Sequence, residues 1–367
     1  MKKPTIKDVN QNIKEFLDKK KLSPEEAVRS LLSRKQPDVT EIEISLFQAC
    51  NLRCAMCWQD QDDETGLDTI VEKADIVIDY LHNWEHKKPE VQVTITGGEL
   101  FQNGLDKYDD YFNMIKKIND NVDDDITFCF ITNLSFNQET STKVKNFLNR
   151  CKDEKIKVAL ATSWDTTGRP LKNTIDSDFY KNLVTYKDDI LGITLVLTKP
   201  TINVLLRKGD EFLDFLYNDG YNVQFDYYVP TESAAALMPT DRDLLNVFRM
   251  FSIKYPKLGL MEAWKNGEIN IMSCGSLNKI TILPDGSIST CRQLDYEQDE
   301  FETKINNTTN TNMMLSFMER QGCLTCPYFD RCTLSCFVMN DHKSYLSKKE
   351  LDRCLYQILF EELDNEK

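Results

Sequence analysis

The chain has 367 residues, 41% of them hydrophobic, and 59 acidic against 45 basic side chains give a formal net charge of −14. That length can bury a sizeable core and leaves room for a smaller unit beside one large domain. The acidity counts against a nucleic acid polymer as partner, since phosphates need clustered Lys and Arg, and no apolar run approaches the roughly 18 residues of a membrane span.

Residues 1–40 read as an N-terminal helical cover. Val9, Ile13, Phe16 and Leu17 share one helical face, and Ser23-Pro24-Glu25-Glu26 opens a second helix as a capping box with proline in its first turn. The start, Met1-Lys2-Lys3-Pro4-Thr5, lacks the apolar stretch of an export signal, so a cytoplasmic location is expected. In that compartment the twelve cysteines point to metal ligation rather than disulfides.

Between residues 41 and 240, strand-like and helix-like stretches alternate. The strands are expected at Glu41–Phe47, Val91–Thr96, Ile126–Thr132, Lys157–Ser163, Leu191–Thr198 and Asn222–Tyr228, with helices near 68–87, 106–120, 140–152, 178–188 and 204–218. Six β-α units in series predict an α/β fold with a parallel sheet buried on both faces. Six are too few for a closed eight-stranded barrel, and chemistry is expected at the carboxyl ends of the strands. A helical linker is expected over 241–265. Beyond it, 266–367 is cysteine-rich: Pro284-Asp285-Gly286-Ser287 marks a hairpin turn between Lys279–Leu283 and Ser287–Thr290, and a helix carries Cys354, Leu351, Leu355, Ile358 and Leu359.

The first cysteine group is Cys50, Cys54 and Cys57, a C-x3-C-x2-C run directly after the first strand. Three thiolates this close can hold three irons of a [4Fe–4S] cube and leave the fourth iron bare. Zinc would want a fourth ligand, and the nearest histidines, His82 and His86, lie far downstream. Thr96-Gly97-Gly98-Glu99 follows the second strand; glycines admit close backbone approach, and a carboxylate complements an ammonium. Alone that tetrapeptide would read as an ordinary turn.

With both motifs in this order, the chain resembles the radical S-adenosylmethionine (SAM) enzymes along nearly its whole length. The resemblance implies a partial (β/α)6 barrel over 41–240. It assigns Gly97, Gly98 and Glu99 to the SAM amino group, and Asn133, Ser163 and Asp165 to its ribose and carboxylate. Met56 or Trp58 would pack on the adenine. Asp226, Tyr227 and Tyr228 on the sixth strand are weaker, substrate-side candidates.

The second cysteine group, Cys274-x11-Gly286-x4-Cys291 then Cys323-x2-Cys326-x5-Cys332-x3-Cys336-x17-Cys354, is spaced like the SPASM extension of peptide-modifying members. It implies two auxiliary [4Fe–4S] clusters, three clusters in all. Cys323, Cys326, Cys332 and Cys354 would complete one, and Cys274, Cys291 and Cys336 would hold the other. The fullest pattern has an eighth cysteine just before Cys274; here Glu268–Ser273 contains none, so that cluster has an open iron or takes Glu268 as ligand. Arg292 stands where sulfatase-maturing relatives carry an aspartate base.

The expectation is therefore an oxidoreductase. It would cleave SAM to a 5′-deoxyadenosyl radical and oxidise a C–H bond of a ribosomally made peptide, forming a thioether or carbon–carbon crosslink. The alternative is a dehydrogenase or epimerase acting on a protein side chain, or on a small molecule such as a nucleotide, sugar or alcohol. Its partners would be a peptide or protein substrate and an electron donor such as flavodoxin or ferredoxin. No leader-binding domain is recognised, so the peptide would need another recruitment route.

Overall fold

The structure, a computed structural model, describes residues 39–57, 59–84, 87–164, 177–228, 236–266, 279–289, 326–328, 332 and 351–365. Residues 1–38 of the expected N-terminal cover, with Trp58, Asp165, Glu268, Cys274, Cys291, Arg292, Cys323 and Cys336, lie outside these residues, as does the side chain of Tyr227, whereas Val39 and Thr40, expected in the cover, belong to the first strand.

Six strands and their crossover helices follow one another as expected: β1 (Val39–Ser45), α1 (Lys73–Asn83), β2 (Glu90–Thr96), α2 (Tyr108–Asn121), β3 (Asp125–Ile131), α3 (Gln138–Asp153), β4 (Lys157–Trp164), α4 (Asp178–Thr185), β5 (Ile190–Leu197), then α5 (Lys199–Lys208), α6 (Glu211–Asn218) and β6 (Val223–Tyr227). The single helix expected near 204–218 is two. Gly209 takes a left-handed φ of +68° and ends α5, and the Asp210 carboxylate accepts from Phe212 N at 2.8 Å and Leu213 N at 3.2 Å to start α6.

The strand order is β6-β5-β4-β3-β2-β1-β7-β8, with β7 (Lys279–Ile282) parallel to β1 and β8 (Ile288–Ser289) closing an antiparallel hairpin. The expected turn forms: Gly286 adopts φ +86°, and Asp285 Oδ1 accepts from Ser287 N at 2.9 Å. The hairpin opening the second cysteine group is thus part of the barrel sheet. Lys73 on α1, 2% exposed, is favoured by the charges of the hairpin's Asp285 and of Glu72 and donates to Thr69 Oγ1 at 3.2 Å.

The sheet is not buried on both faces. Ile42, Ile44, Val91, Val93, Ile95, Phe128, Phe130 and Leu160 are buried in the main core with the crossover helices. The alternate residues Glu41, Glu43, Gln92, Thr94, Ala159, Ala161 and Thr194 keep partial exposure. They face a lumen. A closed barrel fills its interior with branched side chains, whereas Ala159, Ala161, Gly192 and Cys129 on the inward face of β3–β5 are too small to do so.

The expected linker is two helices, α7 (Asp241–Lys254) and α8 (Gly259–Asn266), whose Leu244, Phe248, Phe251 and Trp264 join the same core. A capping box of Thr240 and Asp243 starts α7. The last helix, α9 (Leu355–Asn365), packs on α7 through Tyr356 against Phe248 and the Arg249–Glu362 ion pair, and on α8 through Phe360 against Trp264.

Candidate active site at the mouth of the barrel

β1 ends at Ser45, and the chain then makes a closed loop. Gln48 N donates to Asp63 O at 3.1 Å and Cys50 N to Gln61 O at 3.0 Å. The Gln48 side chain staples the loop by donating to Asp63 Oδ2 at 2.8 Å and accepting from Asp60 N at 3.0 Å. Arg53 Nη1 donates to Cys50 O at 2.6 Å while Nη2 pairs with Asp62. Cys50, Cys54 and Cys57 all line one cavity of about 470 Å³ that runs down the barrel lumen.

Burial pushes the Cys50 thiol up to about 11, and the Glu99 carboxylate with the thiols of Cys54 and Cys57 adds to this; the Leu52 N–H opposes it. Among the described residues no three His, Cys, Asp or Glu side chains converge on a single-ion site. Three thiols on one cavity are the donor set that an iron–sulfur cluster takes.

The glycine pair sits directly under this loop. A Cβ on Gly98 would lie 2.0 Å from Ala49 O and 2.1 Å from Gln48 O, so the two backbones touch where only glycine fits. Gly98 N donates to Phe47 O at 2.9 Å and Glu99 N to Ala49 O at 3.0 Å. Gln59, two residues after Cys57, donates to Gly97 O at 3.1 Å. Gly97 and Gly98 line the cavity.

Glu99 does something the sequence did not suggest. Its side chain is 1% exposed; Oε1 accepts from Phe101 N at 2.9 Å and Thr132 Oγ1 at 2.7 Å, and Oε2 from Asn133 N at 2.6 Å. It ties the end of β2 to the end of β3. The β3 loop is shaped further by left-handed Leu134, with φ +55°, whose carbonyl accepts from Asn182 Nδ2 at 2.9 Å. Asn133 lines the cavity, and its Nδ2 donates to Asn51 Oδ1 at 2.9 Å inside the cysteine loop.

Ser163 also lines the cavity, as do Met56, Asp226 and Tyr228; Met56 and Tyr228 pack together. Thr198 is the N-cap of α5, accepting from Thr201 N at 3.3 Å. Sequence reasoning missed Glu41, Glu43, Gln92, Thr94, Gln224 and Lys279, all on the lumen wall. The available signal was polar alternation within strands assigned to a doubly buried sheet.

Of the second cysteine group, Cys326, Cys332 and Cys354 are described. Cys332 and Cys354 lie against the main core beside Tyr328, whose ring is 5.6 Å from Phe360. Burial raises the Cys354 thiol, and nearby Cys326 adds to the shift. Cys129 and Cys151 are buried under no such grouping, and burial pushes both up to about 12.

The chain overlays with a TM-score of 0.58 and 16% identity on a histidine-tagged anSMEcpe with bound AdoMet, covering 89% of this chain and 96% of that one. Against native anSMEcpe with bound AdoMet and Cp18Cys peptide the score is 0.56 at 16% identity, over the same shares. No family model and no curated protein matches the chain. At this identity the likeness is one of fold, an open, mostly parallel α/β barrel shared with anSMEcpe. No helix among the described residues is long and apolar enough to cross a membrane.

Proposed function

We propose that this chain is a radical SAM enzyme that oxidatively modifies a C–H bond of a ribosomally made peptide, by a thioether or carbon–carbon crosslink. The observation that carries the reading is the convergence of Cys50, Cys54 and Cys57 with Gly97 and Gly98 on one cavity at the strand ends. The similarly folded anSMEcpe binds AdoMet and a peptide. Cys50, Cys54 and Cys57 would hold a [4Fe–4S] cluster with one iron free of protein ligands, and that group would supply the electron for reductive cleavage of SAM to methionine and a hydrogen-abstracting 5′-deoxyadenosyl radical.

In this reading the protein's own work is positioning. The three thiols hold the cluster at the mouth. The carbonyls of the Gly97–Gly98 segment meet the SAM ammonium, while the buried Glu99 fixes the loop that presents Asn133. Asn133, Ser163 and Asp165 hold ribose and carboxylate; Met56 or Trp58 covers the adenine. The walls exclude water from the reactive carbon.

The wider reading keeps the domain division at 1–40, 41–240, 241–265 and 266–367. Cys274, Cys291 and Cys336, and separately Cys323, Cys326, Cys332 and Cys354, would hold two auxiliary [4Fe–4S] clusters that give the electron removed from substrate an outlet. Flavodoxin or ferredoxin would be the donor, in the cytoplasm. The proximity of Cys326 to Cys354 and the placement of Cys332 at the same core edge support the second set.

The test is anaerobic reconstitution with iron and sulfide, then dithionite and SAM. Release of 5′-deoxyadenosine, lost in Cys54→Ala, is the expected result. Undiminished release from that variant would overturn the assignment.

A further inference from the structure

Two side-chain carboxamides join the cysteine loop to the loop after β3. Asn51 stands between Cys50 and Leu52, and its Oδ1 accepts from Asn133 Nδ2 at 2.9 Å. Its own Nδ2 donates to the Ser135 carbonyl at 3.3 Å. Asn133 closes the ring from the other side, its Oδ1 accepting from Ser135 N at 2.7 Å. The backbone dictates both amide orientations. The Ser135 N–H can only donate, so the atom it meets on Asn133 is oxygen, and the NH2 group faces Asn51. That group needs an acceptor, which turns the Asn51 oxygen towards it and leaves the Asn51 NH2 group for the Ser135 carbonyl.

The β3 side of this ring is firmly held. Glu99 accepts from Asn133 N and the Thr132 hydroxyl, and Thr132 Oγ1 accepts from Leu134 N at 3.2 Å. Asn182 Nδ2 donates to Leu134 O and, at 2.7 Å, to Phe136 O. Asn133 is 9% exposed and lines the cavity shared by the three cysteines and Gly97–Gly98. Its carboxamide commits one Nδ2 hydrogen to Asn51 and one Oδ1 lone pair to Ser135, which leaves one hydrogen and one lone pair for a ligand. A side chain fixed at both ends of its amide loses no further rotamer freedom when a ligand arrives.

Resting on the radical SAM reading, we propose that Asn51 is a positioning residue for SAM that acts through Asn133. It fixes the Asn133 carboxamide so that the remaining donor and acceptor meet the polar groups of SAM. Asn51 does not itself line the cavity, so its effect on SAM passes through its partner. The loop that carries the three thiols thereby also shapes the pocket wall on the β3 side, and the two sites are built as one unit.

The experiment is a double-mutant cycle on SAM affinity, read by equilibrium dialysis of labelled SAM against the reconstituted, unreduced protein, where nothing turns over. Asn51→Ala and Asn133→Ala are each expected to weaken SAM about five- to tenfold, the scale of one well-placed hydrogen bond. The double variant should bind no more weakly than the poorer single one, because Asn51 has nothing to hold once the Asn133 carboxamide is gone. Iron content and melting temperature serve as controls for cluster loading and folding. If Asn51→Ala does not retain iron, Asn51→Ser takes its place, since a hydroxyl is too short to bridge Asn133 and Ser135. Failure of both to retain iron makes Asn51 a staple of the thiol loop and overturns the proposal. Unchanged SAM affinity in either single variant, or losses that add in the double variant, also overturn it. A wild-type protein that loads iron and binds no SAM would instead overturn the reading on which the proposal rests.

Discussion

The Glu99 carboxylate receives the amide of Asn133 at 2.6 Å, joining the loop after β2 to the loop after β3 beneath the cysteine loop. A buried carboxylate with three protein donors is a structural brace whatever ligand lies above it. Its neighbour Gly98 is constrained for an equally local reason, the crossing of two backbones. The motif thus serves the fold of the mouth as well as any ligand.

Glu99→Gln turns one acceptor oxygen into an amide NH2 donor facing either the Asn133 N–H or the Thr132 hydroxyl and Phe101 N–H. The metal-free protein should lose about 2–3 kcal/mol of stability, the cost of an unsatisfied buried donor next to a charge site. Urea unfolding of the apoprotein decides it; an unchanged midpoint would mean that Glu99 matters to ligand alone.

Gly98→Ala forces a methyl to within 2.0 Å of Ala49 O. The backbones must part, at a cost of about 3 kcal/mol or more, and the cysteine loop lifts with them. Iron content after reconstitution should fall along with melting temperature. Gly104→Ala, where no atom lies within 4 Å but φ is +86°, should cost only the strain of its left-handed backbone, about 1 kcal/mol, and leave iron content intact.

Cys326→Ala separates the two cysteine groups. If the second group conducts electrons rather than merely staples the fold, 5′-deoxyadenosine release should stay measurable while iron content drops by about four atoms, one cubane's worth. Loss of both activity and fold together would make the group structural.

The Arg249–Glu362 pair docks α9 on α7. The guanidinium holds the Glu362 carboxyl below its ordinary 4.5, so its stabilising share is complete above that pH and is lost as pH falls through the lowered value. Both side chains are more than a third exposed, which limits the share to about 0.5–1 kcal/mol. Glu362→Gln should therefore lower stability modestly at pH 7, and the difference from wild type in thermal melts should shrink as the pH falls through the lowered carboxyl range.

The order of strands and helices was legible in the residues, because runs such as Glu90–Thr96 and Ile190–Leu197 are rich in β-branched residues and lie between helical stretches of 3.6-residue period. The cysteine loop and the glycine pair were legible because spacing along the chain is itself the chemistry of a chelating loop. Three things were decided only in three dimensions. Alternation of Glu41, Ile42, Glu43 and Ile44 says that the faces differ but not that the polar one lines a lumen, since this depends on Ala159, Ala161 and Gly192 leaving it open. The addition of β7 to the edge of β1 joins residues far apart in sequence through backbone hydrogen bonds that every residue but proline can make, whatever its side chain. And Glu99 could be seen as a carboxylate, but its donors come from β3, whose nearness exists only once parallel pairing has brought the strand ends together.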